Sequence, residues 1–110
     1  MVFIARHVAS GVAHMHKLGV QHRDLKIENV LLENKLFKIC DFGSARGQTQ
    51  AFKSVEDQFE EFEKHTTLMY RPPEMVDKFK GWPVTPKVDV WMLGCIIYTM
   101  AFAKHPFMED

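Results

Sequence analysis

In the stretch HRDLKIEN, residues 22–29, a carboxylate, an ammonium group and an amide lie close together in sequence. Asp24 accepts hydrogen bonds only, so it can orient a hydroxyl group and take its proton. Lys26, two residues on, offers a compact cation to a phosphoryl oxygen. Asn29 and Asp41 offer oxygen ligands of the kind Mg2+ prefers. Asp41 opens the triplet DFG twelve residues beyond Asn29, and a hairpin between the two would return the chain so that both reach one cation. Phosphoryl transfer asks little more of a protein than a positioned hydroxyl, held metal ions and neutralised charge.

The elements around these residues are legible from periodicity. Ile4, Val8, Val12 and Met15 recur at helical spacing, which predicts a helix over residues 2–18 stopped by Gly19. Residues 20–29 read as a polar loop. Two apolar runs, Val30–Leu32 and Leu36–Cys40, flank a polar turn at Glu33–Asn34–Lys35 and read as a hairpin. DFGSARGQTQ has no period and reads as a loop. Phe52, Val55, Phe59 and Phe62 predict a helix over residues 52–64, with Ser54 and Asp57 resembling a capping box. Glu56, Asp57, Glu60, Glu61 and Glu63 give that helix a solvated acidic face; the alternative is a docking surface for a basic segment.

RPPE is a rigid extended corner, since Pro72 and Pro73 restrict the residues before them. A short helix is expected from Glu74 to about Lys80, ended by Gly81 and Pro83. Thr85 then caps a long helix that starts at Pro86 and runs to about Ala103. That helix is apolar nearly all round, so protein should surround it.

Composition narrows the classes. The 110 residues suggest one domain or part of one, able to hide roughly 65% of their unfolded surface. The 14 basic and 14 acidic residues cancel, which gives no electrostatic reason to expect nucleic acid or an anionic membrane as partner. Cys40 and Cys95 form neither a disulfide framework nor a CxxC pattern, and a reducing compartment suits them. The start, MVFIARHVAS, lacks a basic n-region and reads as helix, not signal peptide. The apolar run Val90–Ala103 falls short of the ~20 residues a membrane span needs, so no transmembrane segment is expected. His14 and His16, two apart on a helix, point to different faces and do not make a zinc pair. They read as surface or groove histidines, as do His7, His65 and His105.

HRDLxxxN, then DFG, then a proline–glutamate corner is the motif set of the protein kinases, and the whole chain resembles part of their domain. Capping of turns would explain each piece alone but not all of them in this order. Lys26 after Asp24 is the pattern of the serine/threonine kinases, and Thr67, three before Tyr70, matches the threonine they set against both. CDFGSA, VEDQFEEFEKHTTLMYRPPEM and DVWMLGCIIY together resemble the Numb-associated kinases, the group of the adaptor-associated and cyclin-G-associated kinases.

The resemblance implies an α+β, mostly helical fold. It would be a single partial kinase domain over residues 1–110, from the large C-terminal lobe, with a catalytic loop at 22–29 and an activation segment at 41–74. It also implies roles. Asp24 would be the catalytic base, and Arg23 would link its loop to the activation segment. Lys26 would touch the transferred phosphate, and Asn29 and Asp41 would hold Mg2+. Leu31 would floor the adenine of ATP, and Cys40, a buried thiol, would line the back of that pocket. Glu28 and Thr67 would serve the protein substrate. His22 and Phe42 would stack in a spine anchored by Asp89. Pro72 stands where the family has alanine; it removes one backbone donor, which an extended corner tolerates.

Against the family pattern, the glycine-rich loop, the strand lysine and its glutamate partner are missing, and so is the arginine that Glu74 pairs with. Two expectations therefore stand side by side. One is a serine/threonine kinase centre acting on a protein substrate, which the resemblance suggests is a clathrin-adaptor subunit in endocytic traffic, in the cytoplasm or at endocytic membranes. The other is a non-catalytic kinase segment that acts by binding a partner or the missing lobe. The chain by itself is expected to lack phosphotransfer and to expose apolar surface on its long helix.

Overall fold

The computed structural model describes residues 2–47, 55–77 and 84–107. Helical recurrence puts Val8, Val12 and Met15 on one buried face of α1, Val2–Lys17. Gly19 then turns the chain at φ +78°, a conformation that costs an L side chain ~1–2 kcal/mol.

The stretch expected as polar loop starts with a two-residue strand, β1, Val20–Gln21, and ends in a 3-10 turn, Ile27–Asn29. The expected hairpin forms from β2, Val30–Glu33, and β3, Leu36–Ile39, with Val30 opposite Ile39 and Glu33 opposite Leu36. Glu33 therefore belongs to the strand, and the turn is Asn34–Lys35 alone. Both turn residues have positive φ, 50° and 65°, as two-residue hairpin turns require. Asparagine tolerates that region and lysine does not. Lys35→Gly is expected to stabilise the chain by about 0.5–1 kcal/mol after the entropic cost of glycine. The thermal midpoint should rise by a few degrees; a fall would contradict the turn geometry. The hairpin lies on α1 at Gly11, where a Cβ would come 3.1 Å from Ile39 Cδ1.

The region 41–47 also differs from the loop its sequence suggests. A 3-10 turn, Phe42–Ser44, leads into β4, Arg46–Gly47, which pairs antiparallel with β1: Gln21 opposite Arg46 and Val20 opposite Gly47. Strands of two residues are too short to show a period.

α2 spans Val55–His65, with Phe62 1% exposed and Phe59 half-buried beside it, ring centroids 5.4 Å apart. Phe52 and the Ser54 capping position lie outside the described residues. The acidic face is not wholly solvated: Glu61 is half-buried and meets Arg46. Two 3-10 turns follow, Leu68–Tyr70 and Pro73–Met75. The helix expected from Glu74 is only this second turn as far as Asp77, because Val76 already closes it; Lys80, Gly81 and Pro83 lie outside the described residues.

α3, Lys87–Phe102, starts where the Thr85 hydroxyl accepts from the Lys87 N–H at 3.2 Å, and ends at Ala103 in a left-handed conformation. Val88, Met92, Cys95 and Ile96 enter the core with Val8, Val12, Met15, Leu25, Phe62, Tyr70 and Met75. The other side is open: Val90 is 52% and Phe102 63% exposed, and Trp91 stacks on Phe107 with centroids 5.5 Å apart. The expectation of protein on all sides is thus met on one side only, because an apolar residue at every position does not say which face the rest of the chain covers. Among the described residues the architecture is α+β: three helices and two two-stranded sheets around one core. Among the described residues no helix is long and apolar enough to cross a membrane.

Candidate active site

The loop that follows β1 is pinned by one buried carboxylate. Asp89, fully buried at the start of α3, accepts from the His22 N–H at 2.9 Å and the Arg23 N–H at 2.8 Å. It also accepts from His16 Nε2 at 2.8 Å. Reading His16 as a surface or groove residue misses this bond, since nothing in α1 points to a partner 73 residues on. The pinning suits the strained geometry of Arg23, whose φ is 69°.

His22 is buried and uses both ring nitrogens. Nε2 donates to the Cys40 carbonyl at 3.0 Å, and Nδ1 accepts from the Asp24 N–H at 3.1 Å. Its ring meets Phe42 edge-on at 5.0 Å. The loop is thereby tied to the residue just before Asp41. Cys40 is half-buried, not buried as the resemblance implies; the buried thiol is Cys95, where burial pushes the pKa up.

Asp24, Lys26 and Thr67 form a triangle. The Thr67 hydroxyl donates to Asp24 Oδ1 at 2.9 Å and accepts from Lys26 Nζ at 3.0 Å. Lys26 Nζ lies 3.8 Å from Asp24 Oδ2, with the two side chains 24% and 14% exposed, so the carboxylate is shielded but reachable. Asn29, 6% exposed, donates its Nδ2 to the Asp24 carbonyl at 2.9 Å, and its own carbonyl accepts from the Cys40 N–H at 2.8 Å. The hairpin therefore leaves Asn29 and Asp41 at its two open ends. Asp41 is exposed at φ 61°, and its carboxylate accepts from the Gly43 N–H at 3.3 Å. A cleft of about 380 Å3 is lined by Asp24, Lys26, Asp41, Gly43, Ser44, Lys64, His65, Thr66 and Thr67.

Not every expected residue joins it. Leu31, 53% exposed on β2, and Glu28, exposed on the 3-10 turn Ile27–Asn29, do not line this cleft. Glu74 is half-buried, and among the described residues it makes no hydrogen bond or ion pair.

Arg23 reaches α2 instead of solvent. Nε donates to Gln21 Oε1 at 2.9 Å, and the guanidinium lies 5.6 Å from the Phe62 ring centroid. Burial pulls its pKa down; Glu61 opposes that, Arg46 adds to it, and Asp89 opposes it.

His105, read as a surface histidine, is 6% exposed against Tyr70, ring centroids 4.6 Å apart. Nδ1 accepts from the Phe107 N–H at 3.1 Å, while Nε2 is buried without a partner among the described residues. Tyr70 in turn accepts from the Ile27 N–H at 3.4 Å, beside Lys26, and burial raises its pKa. Burial lowers the pKa of His105, with Glu28 opposing. The folded chain therefore takes up a proton there later than the unfolded chain does. The stability linked to this group is full above the ordinary imidazole value, ~6.5, and declines as pH falls below it. His105→Gln should flatten the fall of the thermal midpoint between pH 7.5 and 5.5; equal slopes in both proteins would refute this.

Residues 1–110 match the family description "Protein kinase domain". The chain belongs to the protein kinase family. It is 45% identical, over 91% of its length, to a probable serine/threonine-protein kinase of Dictyostelium discoideum. It is 40% identical, over 97% of its length, to a second such protein of that organism. To actin-regulating kinase 1 of Saccharomyces cerevisiae it is 41% identical over 94% of its length. The chain spans 13% of the length of the first of these relatives, 10% of the second and 17% of the third.

Proposed function

We propose that this site transfers the γ-phosphoryl group of ATP to a serine or threonine hydroxyl of a protein. The triangle of Asp24, Lys26 and Thr67 is the observation that carries the reading. Asp24 has Oδ2 directed to Lys26 and Oδ1 held by Thr67, so the carboxylate is oriented before a substrate hydroxyl arrives. Lys26 places a cation where charge builds on the phosphoryl oxygens.

The donor set at the hairpin ends fits Mg2+. Asn29 spends its Nδ2 on the Asp24 carbonyl, which leaves the amide oxygen for a cation, and Asp41 offers a carboxylate. Mg2+ is commonly held by one or two protein oxygens together with substrate phosphates, so these two suffice. When bound, the ion neutralises phosphate charge. His22 and Phe42 keep Asp41 in register with Asp24, and Asp89 anchors them. Leu31 and Cys40 are the residues for the adenine side of ATP, and Glu28 and Thr67 for the substrate peptide.

Resemblance to the Numb-associated kinases points to a clathrin-adaptor subunit as substrate, at the cytoplasmic face of endocytic membranes. The second reading, a segment that acts by binding alone, is favoured by the open apolar side of α3. One experiment separates the two. Residues 1–110 replace the matching segment of actin-regulating kinase 1, and transfer of labelled phosphate from ATP to serine and threonine is measured. The expected result is transfer that Asp24→Asn abolishes. A folded, nucleotide-binding chimera that transfers nothing would overturn the catalytic reading.

A further inference from the structure

After α3 the chain folds back on the helix it has just left. Ala103 turns it at φ 56°, and Phe107 comes to lie on Trp91 with the two rings 7° from parallel. Both rings reach solvent, Phe107 59% and Trp91 37% exposed, so little packing keeps them together. A hydrogen bond does: the Phe107 N–H donates to Nδ1 of His105 at 3.1 Å, across Pro106, whose ring fixes φ between donor and acceptor. Pro106 and Phe107 form one wall of a cleft of about 300 Å3, and Trp91, Gly94, Cys95 and Tyr98 of α3 form the other.

A neutral imidazole has one donor nitrogen and one acceptor. Nδ1 of His105 accepts, so the ring proton sits on Nε2. His22 has the same arrangement, with the Asp24 N–H on Nδ1, but its Nε2 meets the Cys40 carbonyl. Nε2 of His105 has no acceptor among the described residues. A second proton can go only to Nδ1. There it takes the lone pair that holds Phe107, and two N–H groups face each other. The surroundings do not hold the resulting cation in place. The 3-10 turn Leu68–Tyr70 presents the Tyr70 ring at 4.6 Å, and Cys95 of α3 acts on Tyr70. Glu28, on the 3-10 turn Ile27–Asn29, favours the charged ring, and burial outweighs it. We propose that His105 is a pH-operated latch: a proton taken up at Nδ1 breaks the bond to the Phe107 N–H, frees Phe107 from Trp91 and opens one wall of the cleft on α3. Because burial disfavours the charged ring, the latch holds at neutral pH and yields as pH falls below the ordinary imidazole value, ~6.5.

The test is an NMR titration of the whole chain from about pH 7.5 to about 5. Ring nitrogen shifts should place the proton of His105 on Nε2 at the upper end. As the ring titrates, the exchange protection of the Phe107 amide, corrected for the intrinsic effect of pH, should fall roughly tenfold. Nuclear Overhauser contacts between Trp91 and Phe107 should vanish in the same step, while those between Gly11 and Ile39 stay. His105→Asn supplies an amide oxygen that takes the N–H two residues on and does not titrate, so it should keep the ring contact throughout. His105→Ala should lack it throughout. The latch is refuted by a proton on Nδ1 at the upper end, by a ring still neutral at the lower end, or by a Trp91–Phe107 contact that survives its protonation. Loss of the Gly11–Ile39 contacts in the same step refutes it too, because that is unfolding. So does a pH-dependent ring contact in His105→Asn or a retained one in His105→Ala. If either variant does not fold, the parent titration decides. None of these readouts depends on phosphotransfer, so the chimera assay can fail while this result stands, and the reverse.

Discussion

Asp89→Ala is expected to cost about 3–5 kcal/mol, enough to unfold much of a chain whose total stability lies within ~5–15 kcal/mol. The carboxylate is fully buried and accepts from two backbone N–H groups and one imidazole. Its removal orphans two buried backbone donors, the His22 and Arg23 N–H groups, and each orphan costs ~1–3 kcal/mol. Asp89→Asn should be nearly as damaging despite its equal size. Its amide offers one oxygen where three donors converge, and its own NH2 group would face N–H groups. Urea unfolding of the two variants is the measurement. A loss below ~1 kcal/mol for Asp89→Asn would show that charge and geometry at this position matter little.

Asp24→Asn should do the opposite, leaving the fold in place and removing the chemistry. The asparagine keeps an oxygen for the Thr67 hydroxyl, and what it loses toward Lys26 is a contact of 3.8 Å between partly exposed groups. Such a pair is worth ~0–1 kcal/mol. An amide cannot take a proton from a substrate hydroxyl, so the phosphotransfer rate of the chimera should fall by ~10²–10⁴. The separation of the two effects is what identifies a base. A rate within tenfold of the parent would remove Asp24 from that role, and a stability loss matching that of Asp89→Asn would make it a structural residue.

Periodicity made α1 and α2 legible, because each carries its apolar residues on one face; the hairpin and α3 were legible from their apolar runs and the turn residues that bound them. It could not reveal β1 or β4, which are two residues long and defined only by each other. It could not orient α3 either, whose sequence is apolar on every side. Within the site, Asp24, Lys26, Asn29 and Asp41 were readable as a local pattern, since one loop and one hairpin hold them. Thr67 entered only through the family resemblance. The pairings of His16 with Asp89 and of Glu61 with Arg46 left no mark in local sequence, because each joins elements distant along the chain. Cys40 and His105 were misread for a related reason: burial depends on which elements cover a residue, not on its neighbours.

The span of these contacts bears on how the chain folds. Asp89 reaches back 67 residues to His22, and Thr67 reaches back 43 to Asp24. Contacts of that sequence separation pay their loop-closure entropy before they return anything, whereas α1, the hairpin and α3 are built from near neighbours. The local elements can therefore form early, and the loop of residues 22–29 takes shape only when Asp89 on α3 docks against it. A weakened chain would lose the loop first and keep much of its helix content. Far-ultraviolet circular dichroism would then report a healthy protein in which the carboxylate of Asp24 no longer has a fixed address.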